Sequence, residues 1–339
     1  MPPVPCLASP LRHVLRAFAV VMSAWALTAW AQAPVGQAGP GFRLAVSKSP
    51  LSLPVLVAAA QGFFADEGLA LTIVDCVGGH RCLALMRDGQ ADLATAGDTP
   101  FVFHSFAAGD FVILATMAST VDDLKLFTHR AAGIARPRDL AGRRIGAVVG
   151  TASQYFLDSL LLVHGVDPRS VQVVPLQPEQ MQRALESREV DAVAVWEPYG
   201  YRIARDLKDQ AVAVPNAGIY TGTFNLVAQR RLVGARDADL VRLLRAIARA
   251  EDFIREHPAR SQAVLRERLG TDDDFVRWVW PGMVYRLSLD QTLVKTLESE
   301  ARWALREGHV SGRSAPNFLN LLHRGPLLQV RPAAVGIAR

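Results

Sequence analysis

Three short loops, each between a predicted strand and the helix that follows it, carry side chains suited to binding a small polar molecule. They span residues 94–100, 149–155 and 194–199. Each brings hydroxyl or carboxylate groups beside a helix start, whose free N–H groups and positive dipole end attract anions and acceptors. Any helix needs a cap, so one loop alone favours a structural role. Three such loops at the carboxyl ends of strands favour a ligand cleft.

The candidate ligand-binding residues come from these loops and from the loop after the first predicted strand. They are Ser47, Ser49, Asp98, Thr99, Thr151, Ser153, Gln154, Tyr155, Trp196 and Glu197. Trp196 offers a stacking face, and Glu197 offers an acceptor for N–H donors. A core tryptophan beside a capping glutamate would explain this pair equally well, so both interpretations stay open.

Two cysteines lie close together in the sequence, at Cys76 and Cys82, with His80 between them. A disulfide would suit an exported protein, and closing so short a loop would stabilise the fold by roughly 2–3 kcal/mol. Two free buried thiols are an alternative. A metal site built from Cys76, His80 and Cys82 is a third, although no fourth ligand is visible.

The remaining sequence features argue against common catalytic and metal chemistry. The chain contains no G-x-S-x-G, H-E-x-x-H, Walker or G-x-G-x-x-G motif. We therefore predict a protein that is not an enzyme, with no catalytic residue, no metal site and no cofactor. A net charge of +5 without a run of five like charges gives no indication of nucleic-acid binding.

The loops must be positioned by a scaffold in which strands and helices alternate. Apolar runs such as residues 42–46, 111–119 and 144–149 are predicted strands, with predicted helices between them. Residues 238–308 show helical patterns with no strand between them. The alternation predicts an α/β fold with parallel strands, and 339 residues of ordinary globular composition suit two domains.

The first 31 residues read as an export signal. Arg12 and Arg16 precede a mostly apolar stretch without acidic residues, which ends at the small-x-small sequence of residues 29–31. We predict a signal peptide over residues 1–31, with cleavage after Ala31. An N-terminal membrane anchor is the alternative, but the apolar stretch is shorter than the roughly 20 residues that a membrane span needs.

An ordered series of short segments resembles the solute-binding proteins of ABC importers in the nitrate/sulfonate/taurine (NMT1/THI5-like) family. The segments fall within about residues 42–230. They are GFFADEGL (62–69), GG (78–79), LMRDGQADLA (85–94), DLAGRRIG (139–146), GT (150–151), GVDP (165–168) and DAVAVWEPY (191–199).

The resemblance implies a two-lobed type II periplasmic binding protein fold. Each lobe would be a mostly parallel sheet flanked by helices, with the ligand cleft between the lobes. Residues 42–120 plus 225–330 would form lobe one, and residues 121–224 would form lobe two. Hinge closure would capture a small molecule in the periplasm. The closed monomer would then dock on the permease and ATPase subunits of an importer in the inner membrane.

The candidate carboxylates imply a particular kind of ligand. Asp98 and Glu197 beside helix starts suit a molecule with both N–H groups and acceptors, such as an aminosulfonate or an aminopyrimidine. Two other functions share the fold: an enzyme similar to the pyrimidine-precursor synthase or chorismate dehydratase, and a ligand-sensing partner of a membrane receptor. The predicted signal peptide argues against cytosolic biosynthesis, whereas the sequence separates import from sensing poorly.

Overall fold

The computed structural model describes residues 1–3, 41–216 and 218–337. The predicted signal peptide, apart from its first three residues, therefore lies outside the described residues. Among the described helices, none combines the length and the apolar composition that crossing a membrane requires.

The described residues form twelve strands and twelve α-helices. In chain order the strands are β1 (Phe42–Ser47), β2 (Leu71–Cys76), β3 (Leu93–Gly97), β4 (Phe111–Thr120), β5 (Lys125–His129), β6 (Arg144–Ala147), β7 (Gln172–Pro175), β8 (Ala192–Val195), β9 (Ala211–Val214), β10 (Gly222–Gln229), β11 (Met283–Asp290) and β12 (Val335–Gly336). The helices are α1 (Leu53–Ala60), α2 (Phe63–Asp66), α3 (Gly79–Arg87), α4 (Asp98–Ala107), α5 (Ala152–Val163), α6 (Met181–Glu186), α7 (Tyr199–Leu207), α8 (Asp237–Glu256), α9 (Pro258–Leu269), α10 (Asp273–Val279), α11 (Gln291–Arg306) and α12 (Gly325–Val330).

The strands assemble into two sheets. One has seven strands in the order β12-β11-β4-β10-β3-β1-β2, and the other has five in the order β7-β6-β8-β5-β9. We call the seven-stranded sheet with its helices the first lobe, and the five-stranded sheet with its helices the second lobe. The chain passes to the second lobe after β4 and returns before β10.

Both sheets are mixed rather than mostly parallel, which corrects the expectation from the sequence. In the first lobe β1 runs parallel to β2 and β3, whereas β10 runs antiparallel to β3 and β4. In the second lobe β6 runs parallel to β7 and β8, whereas β5 runs antiparallel to β8 and β9. Most antiparallel pairs involve β5 or β10, the strands that directly follow the two crossings, and β11 adds one more by pairing antiparallel with β4.

The core of the first lobe forms because its central strands and its longest helix are apolar where they meet. Almost every residue of β4 is buried, as expected for a strand covered on both faces. Helix α8 places Leu240, Leu243, Leu244 and Ile247 on one face at helical spacing, and all four are buried. This face packs with α1 and α12.

The second lobe buries both faces of its sheet, and β8 shows how. Ala192 and Ala194 point to the side covered by α5, whereas Val193 and Val195 point to the side covered by α6 and α7. The alternation follows from the two-residue period of a strand. The end of β8 is thereby fixed between two cores, and Trp196 packs against both of them.

The last third of the chain is not wholly helical, contrary to the expectation from the sequence. Helix α10 ends at Val279, and β11 follows as an eight-residue strand that pairs antiparallel with β4. From Met283 to Leu289 the less exposed residues occur at every second position, the period of a strand with two different faces. This strand extends the first sheet beyond β4.

Candidate functional site

A cleft between the two lobes is the best-formed concave site among the described residues. It contains about 630 Å³ of space unfilled by protein atoms, part of it open to solvent. The loops after β1, β2 and β3 line it from the first lobe. The start of α5 and Trp196 line it from the second, and both crossings contribute through residues 120–124 and 220–224.

Half of the predicted site residues line this cleft. They are Ser47, Ser49, Asp98, Thr151 and Trp196. The Thr151 hydroxyl accepts a hydrogen bond from the Ser153 N–H at 3.2 Å and donates to the Val148 carbonyl at 2.7 Å, so it caps α5 as predicted. The structure therefore brings together the loops of both lobes that the sequence singled out.

Thr99 and Ser153 lie behind the surface of the cleft. Thr99 is fully buried and its hydroxyl donates to Glu300 at 3.1 Å. The Ser153 hydroxyl donates to the Ala194 carbonyl at 2.8 Å and accepts from the Val148 N–H at 3.1 Å. Because these hydroxyls are used inside the protein, the structure gives them a supporting role and does not place them in contact with the cleft.

Gln154 and Tyr155 also face the protein, on the α5 side of the cleft. The Gln154 carbonyl accepts from the Gly150 N–H at 2.9 Å, and its amide nitrogen lies 3.1 Å from His309. Tyr155 makes edge contacts with Tyr220 and with an aromatic ring of α11. Both residues hold the second lobe against the first, and neither lines the cleft.

Asp98 lines the cleft, but donors from its own chain already occupy its carboxylate. Helix α4 begins at Asp98, and Asp98 Oδ1 accepts from the Thr99 N–H at 2.9 Å. The Tyr220 hydroxyl donates to the same oxygen. The Thr223 N–H and hydroxyl donate to Oδ2 at 3.0 and 3.1 Å. Complete burial raises the pKa of this carboxyl.

Glu197 is buried away from the cleft and joins the second lobe to α10 of the first. Its Oε1 accepts from the Trp278 indole N–H at 2.6 Å, and its Oε2 accepts from the Tyr201 N–H at 2.8 Å. Burial raises its pKa to about 7. The capping interpretation thus describes this glutamate better than the ligand-acceptor interpretation.

The Gly78-Gly79 pair forms a close approach at the cleft, a role that the sequence analysis did not give it. A Cβ atom on Gly79 would lie 2.7 Å from the Ala96 Cα and 2.8 Å from the Gly97 nitrogen, and both of these atoms are backbone. Gly78 has a φ of +76°, which side chains disfavour. The start of α3 therefore reaches the cleft only because two glycines precede His80.

Residues of the two crossings line the cleft and were missed from the sequence. They include Thr120, Asp123, Tyr220 and Thr223. None of them lies between a strand and the start of a helix, so the pattern of helix caps could not identify them. The only sequence signal for Tyr220 and Thr223 is their position at the start of the strand that returns to the first lobe, where Tyr220 lies two residues before β10 and Thr223 is its second residue.

The cleft attracts polar groups without basic side chains. Among the described residues that line it, none is lysine or arginine. The first turns of α3 and α5 reach the cleft. Their later N–H groups bond to Gly78 and Thr151, whereas those of Gly79, His80 and Ala152 have no acceptor among the described residues. His80 is the second residue of α3, and burial together with Arg81 lowers its pKa to about 4, so it is neutral at physiological pH. The site can therefore bind an anionic group through neutral donors.

Cys76 and Cys82 are joined by a disulfide with a Cα–Cα distance of 5.6 Å. The bridge ties the end of β2 to the first turns of α3, on either side of the Gly78-Gly79 turn. Because both sulfur atoms are bonded, the alternative of a metal site with His80 does not apply to this structure.

Polar contacts join the lobes beside the cleft. Arg81 in α3 forms an ion pair with Glu179 of the second lobe at 2.7 Å, and it also donates to the Gln177 side chain at 2.9 Å. On the far side, the Trp303 indole N–H donates to Asp158 at 2.9 Å. These contacts hold the two lobes together around the cleft.

Two α/β lobes connected by two crossing segments around a cleft define the periplasmic binding protein fold. Solved structures of this fold align with most of the chain. The alkanesulfonate-binding protein SsuA from Xanthomonas axonopodis pv. citri, bound to MOPS, has a TM-score of 0.74 at 20% identity and covers 84% of this chain and 98% of that one. SsuA from Escherichia coli has a TM-score of 0.71 at 18% identity, covering 84% and 92%.

Within that fold the chain belongs to the NMT1/THI5-like family, whose model matches residues 49–261. Curated relatives include putative aliphatic sulfonates-binding proteins of Bacillus subtilis and Escherichia coli. Both are 25% identical to this chain, the first over 60% of its length and the second over 58%. The alignments span 63% and 61% of those two relatives. A taurine-binding periplasmic protein of Escherichia coli is 26% identical over 46% of this chain and 48% of its own length.

One enzyme shares the fold. The desulfurization enzyme DszB, solved as a mutant in complex with biphenyl-2-sulfinic acid, has a TM-score of 0.61 at 17% identity, covering 86% of this chain and 99% of that one. The fold alone therefore does not separate binding proteins from enzymes.

Proposed function

We propose that this protein is a solute-binding component of an ABC importer and that it captures a small organic sulfonate in the cleft between its lobes. The observation that carries the proposal is the cleft itself. The starts of α3 and α5 come from different lobes and meet there. Neutral N–H donors at helix starts suit a sulfonate group, and sulfonate-binding relatives in the same family support this ligand class.

We infer that the mechanism is a shift between open and closed arrangements of the lobes. Residues 42–120 plus 225–330 move as one body, and residues 121–224 move as the other. A ligand that contacts both bodies binds the closed arrangement better, and this difference in affinity drives closure. The closed protein then presents itself to the permease and ATPase subunits of the importer.

We also propose that the mature protein is a periplasmic monomer. Relatives named periplasmic support this location, as do the basic and apolar segments that precede Ala31. Mass spectrometry of the protein recovered from the periplasm is expected to show Gln32 as the first residue. A mature chain that retains residues 1–31 would contradict export by cleavage.

A binding role is favoured over catalysis by the chemistry of the cleft. Among the described residues that line it, there is no cysteine and no lysine to serve as a nucleophile, and both described cysteines are used in the disulfide. Ser47 and Ser49 have no histidine or carboxylate hydrogen-bonded to their hydroxyls among the described residues, so neither is activated.

A thermal-shift screen of the purified protein tests this proposal. Sulfonates, amino acids, polyamines and pyrimidines are compared at increasing concentrations. A sulfonate is expected to raise the Tm, with a stabilisation that grows as ln(1 + [L]/Kd). Stabilisation by pyrimidines alone, or chemical conversion of the bound sulfonate, would contradict the proposed function.

A further inference from the structure

Asp123 has an unsatisfied oxygen at the cleft. It lies on the first crossing between the lobes and lines the cleft together with Thr120 and Leu124. Its Oδ1 atom is buried and has no hydrogen-bond partner among the described residues. A buried acceptor without a donor is costly, and folded proteins leave few of them. The oxygen is therefore positioned for a donor that the protein itself does not supply.

The charged groups around Asp123 do not provide that donor. The Glu197 N–H donates to the Asp123 carboxyl group but leaves Oδ1 without a partner. Lys125 is the nearby cation, and its ammonium group is engaged with the carboxylate and the carbonyl of Asp122. Asp122, Asp123 and Glu197 thus place three carboxyl groups around one lysine, which leaves this end of the cleft short of positive charge.

Asp98 and Glu197, the carboxyl groups that the sequence singled out, are already satisfied. Asp98 accepts four hydrogen bonds from its own chain, and Glu197 accepts from Trp278 and Tyr201. Glu300 also has a buried oxygen, Oε2, without a partner among the described residues, but it does not line the cleft. Asp123 is therefore the carboxylate of the described cleft lining that retains a buried acceptor without a partner. An amine-binding role was expected for Asp98 and Glu197, and the contacts favour Asp123 instead.

We propose that Asp123 binds an ammonium or other N–H group of the ligand, so that the ligand class is an aminoalkanesulfonate rather than a plain alkanesulfonate. This inference rests on the proposed function, because the sulfonate end is assigned to the helix starts. The ammonium group supplies the donor that Oδ1 lacks and the positive charge that this end of the cleft lacks.

Calorimetric titration with two matched probes tests the assignment. The probes are 2-aminoethanesulfonate and ethanesulfonate, which differ in the amine alone. Titrations are run at pH 8, because burial and the neighbouring Glu197 raise the pKa of Asp123 to about 7. The wild-type protein, Asp123→Asn and Asp209→Asn are compared. Asp209→Asn is the matched control, since it removes the same charge from an exposed side chain that does not line the cleft.

The wild-type protein and Asp209→Asn are expected to bind the aminosulfonate at least about tenfold more tightly than ethanesulfonate. In Asp123→Asn this ratio is expected to fall below about threefold, while the affinity for ethanesulfonate is retained. Retained ethanesulfonate binding also shows that the variant is folded. An unchanged preference in Asp123→Asn would overturn the inference and leave the proposed function standing. Failure of the wild-type protein to bind either probe would overturn both.

Discussion

At the scale of single residues, the carboxyl groups near the cleft differ in what satisfies them. Glu197 accepts from an indole N–H and a backbone N–H in a buried position, whereas Asp123 has an oxygen with no partner among the described residues. Burial disfavours the ionised form in both cases, so each has a raised pKa. Of the two carboxyl groups, only that of Asp123 has an oxygen available to accept a hydrogen bond from a ligand.

Replacing Glu197 is expected to change how stability depends on pH. Its pKa rises from 4.5 in the unfolded chain to about 7 in the fold, so the native state holds an extra proton between these values. Stability from this group is fully present below pH 4.5 and is lost as the pH rises through 7, by about 3 kcal/mol. Glu197→Gln removes this loss, so the free energy of unfolding of the variant falls less between pH 5 and 8 than that of the wild-type protein.

Urea unfolding at several pH values measures the effect. The exposed Glu186→Gln variant serves as the control and is expected to follow the wild-type pH profile. The substitution also alters the hydrogen bonds to Trp278 and Tyr201, which changes stability at every pH. The quantity to compare is therefore the slope of the unfolding free energy against pH. Parallel slopes for Glu197→Gln and the wild-type protein would contradict the assignment.

The sequence predicted part of this residue-level chemistry and missed the rest for a physical reason. Capping logic correctly identified Thr151, whose hydroxyl caps α5. It also expected Asp98 or Thr99 to cap α4, but Gly97 is the cap residue and Asp98 is the first residue of that helix. Whether a carboxylate also faces a ligand depends on distant donors such as Trp278 and Tyr220, which no local spacing encodes. Asp123 was missed because its position depends on the crossing of the chain between lobes.

At the scale of elements, the start of α3 depends on the absence of a side chain at Gly79. Gly79→Ala would place a Cβ atom 2.7 Å from the Ala96 Cα, and a backbone contact of this kind is relieved only by moving the loop or the strand. We expect the variant to lose about 1–3 kcal/mol of stability. We also expect Gly79→Ala to bind 2-aminoethanesulfonate more weakly, because the N–H donors at the start of α3 are displaced.

Chemical unfolding and calorimetric titration measure these two effects. Gly325→Ala is the matched control, since its nearest neighbour would be a His323 ring atom at 3.6 Å and it lies at the start of α12, outside the cleft. That control is expected to keep wild-type affinity. Wild-type affinity in Gly79→Ala would show that the start of α3 takes no part in binding.

Sequence patterns predicted elements with one clear hydrophobic period reliably. They failed for strands whose position depends on pairing with a distant part of the chain. The apolar run of β4 and the capped helix α5 were both predicted. Strand β11 was missed because residues 238–308 were interpreted as helical throughout, despite the turn signal of Pro281-Gly282 directly before the strand. Its pairing partner β4 lies more than 160 positions earlier in the sequence, which no local pattern reveals. The mixed strand directions were missed because they depend on which distant strand each one pairs with, as for β10 and β11 beside β4.

At the scale of the whole molecule, contacts across the cleft set the balance between open and closed lobes. Arg81 pairs with Glu179 across the lobes, and both side chains are partly exposed. We expect Arg81→Ala to weaken binding of 2-aminoethanesulfonate by about three- to fivefold, because exposed ion pairs contribute up to roughly 1 kcal/mol. The loss would act through a smaller population of the closed arrangement.

Calorimetry and small-angle scattering of the ligand-free protein measure the two consequences. Arg87→Ala is the control, because Arg87 pairs with Asp88 at the end of the same helix and within one lobe. Arg81→Ala is expected to increase the radius of gyration of the free protein, whereas Arg87→Ala leaves it unchanged. Equal affinities for the two variants would contradict a role for the Arg81–Glu179 pair in closure.

The most direct test of the whole account is a crystal structure of the mature protein grown with saturating 2-aminoethanesulfonate. The account predicts one molecule between the lobes, with its sulfonate oxygens within hydrogen-bond distance of N–H groups at the starts of α3 and α5. Its amine is predicted to lie against Asp123. An empty cleft under these conditions, or a molecule bound elsewhere on the protein, would contradict the account.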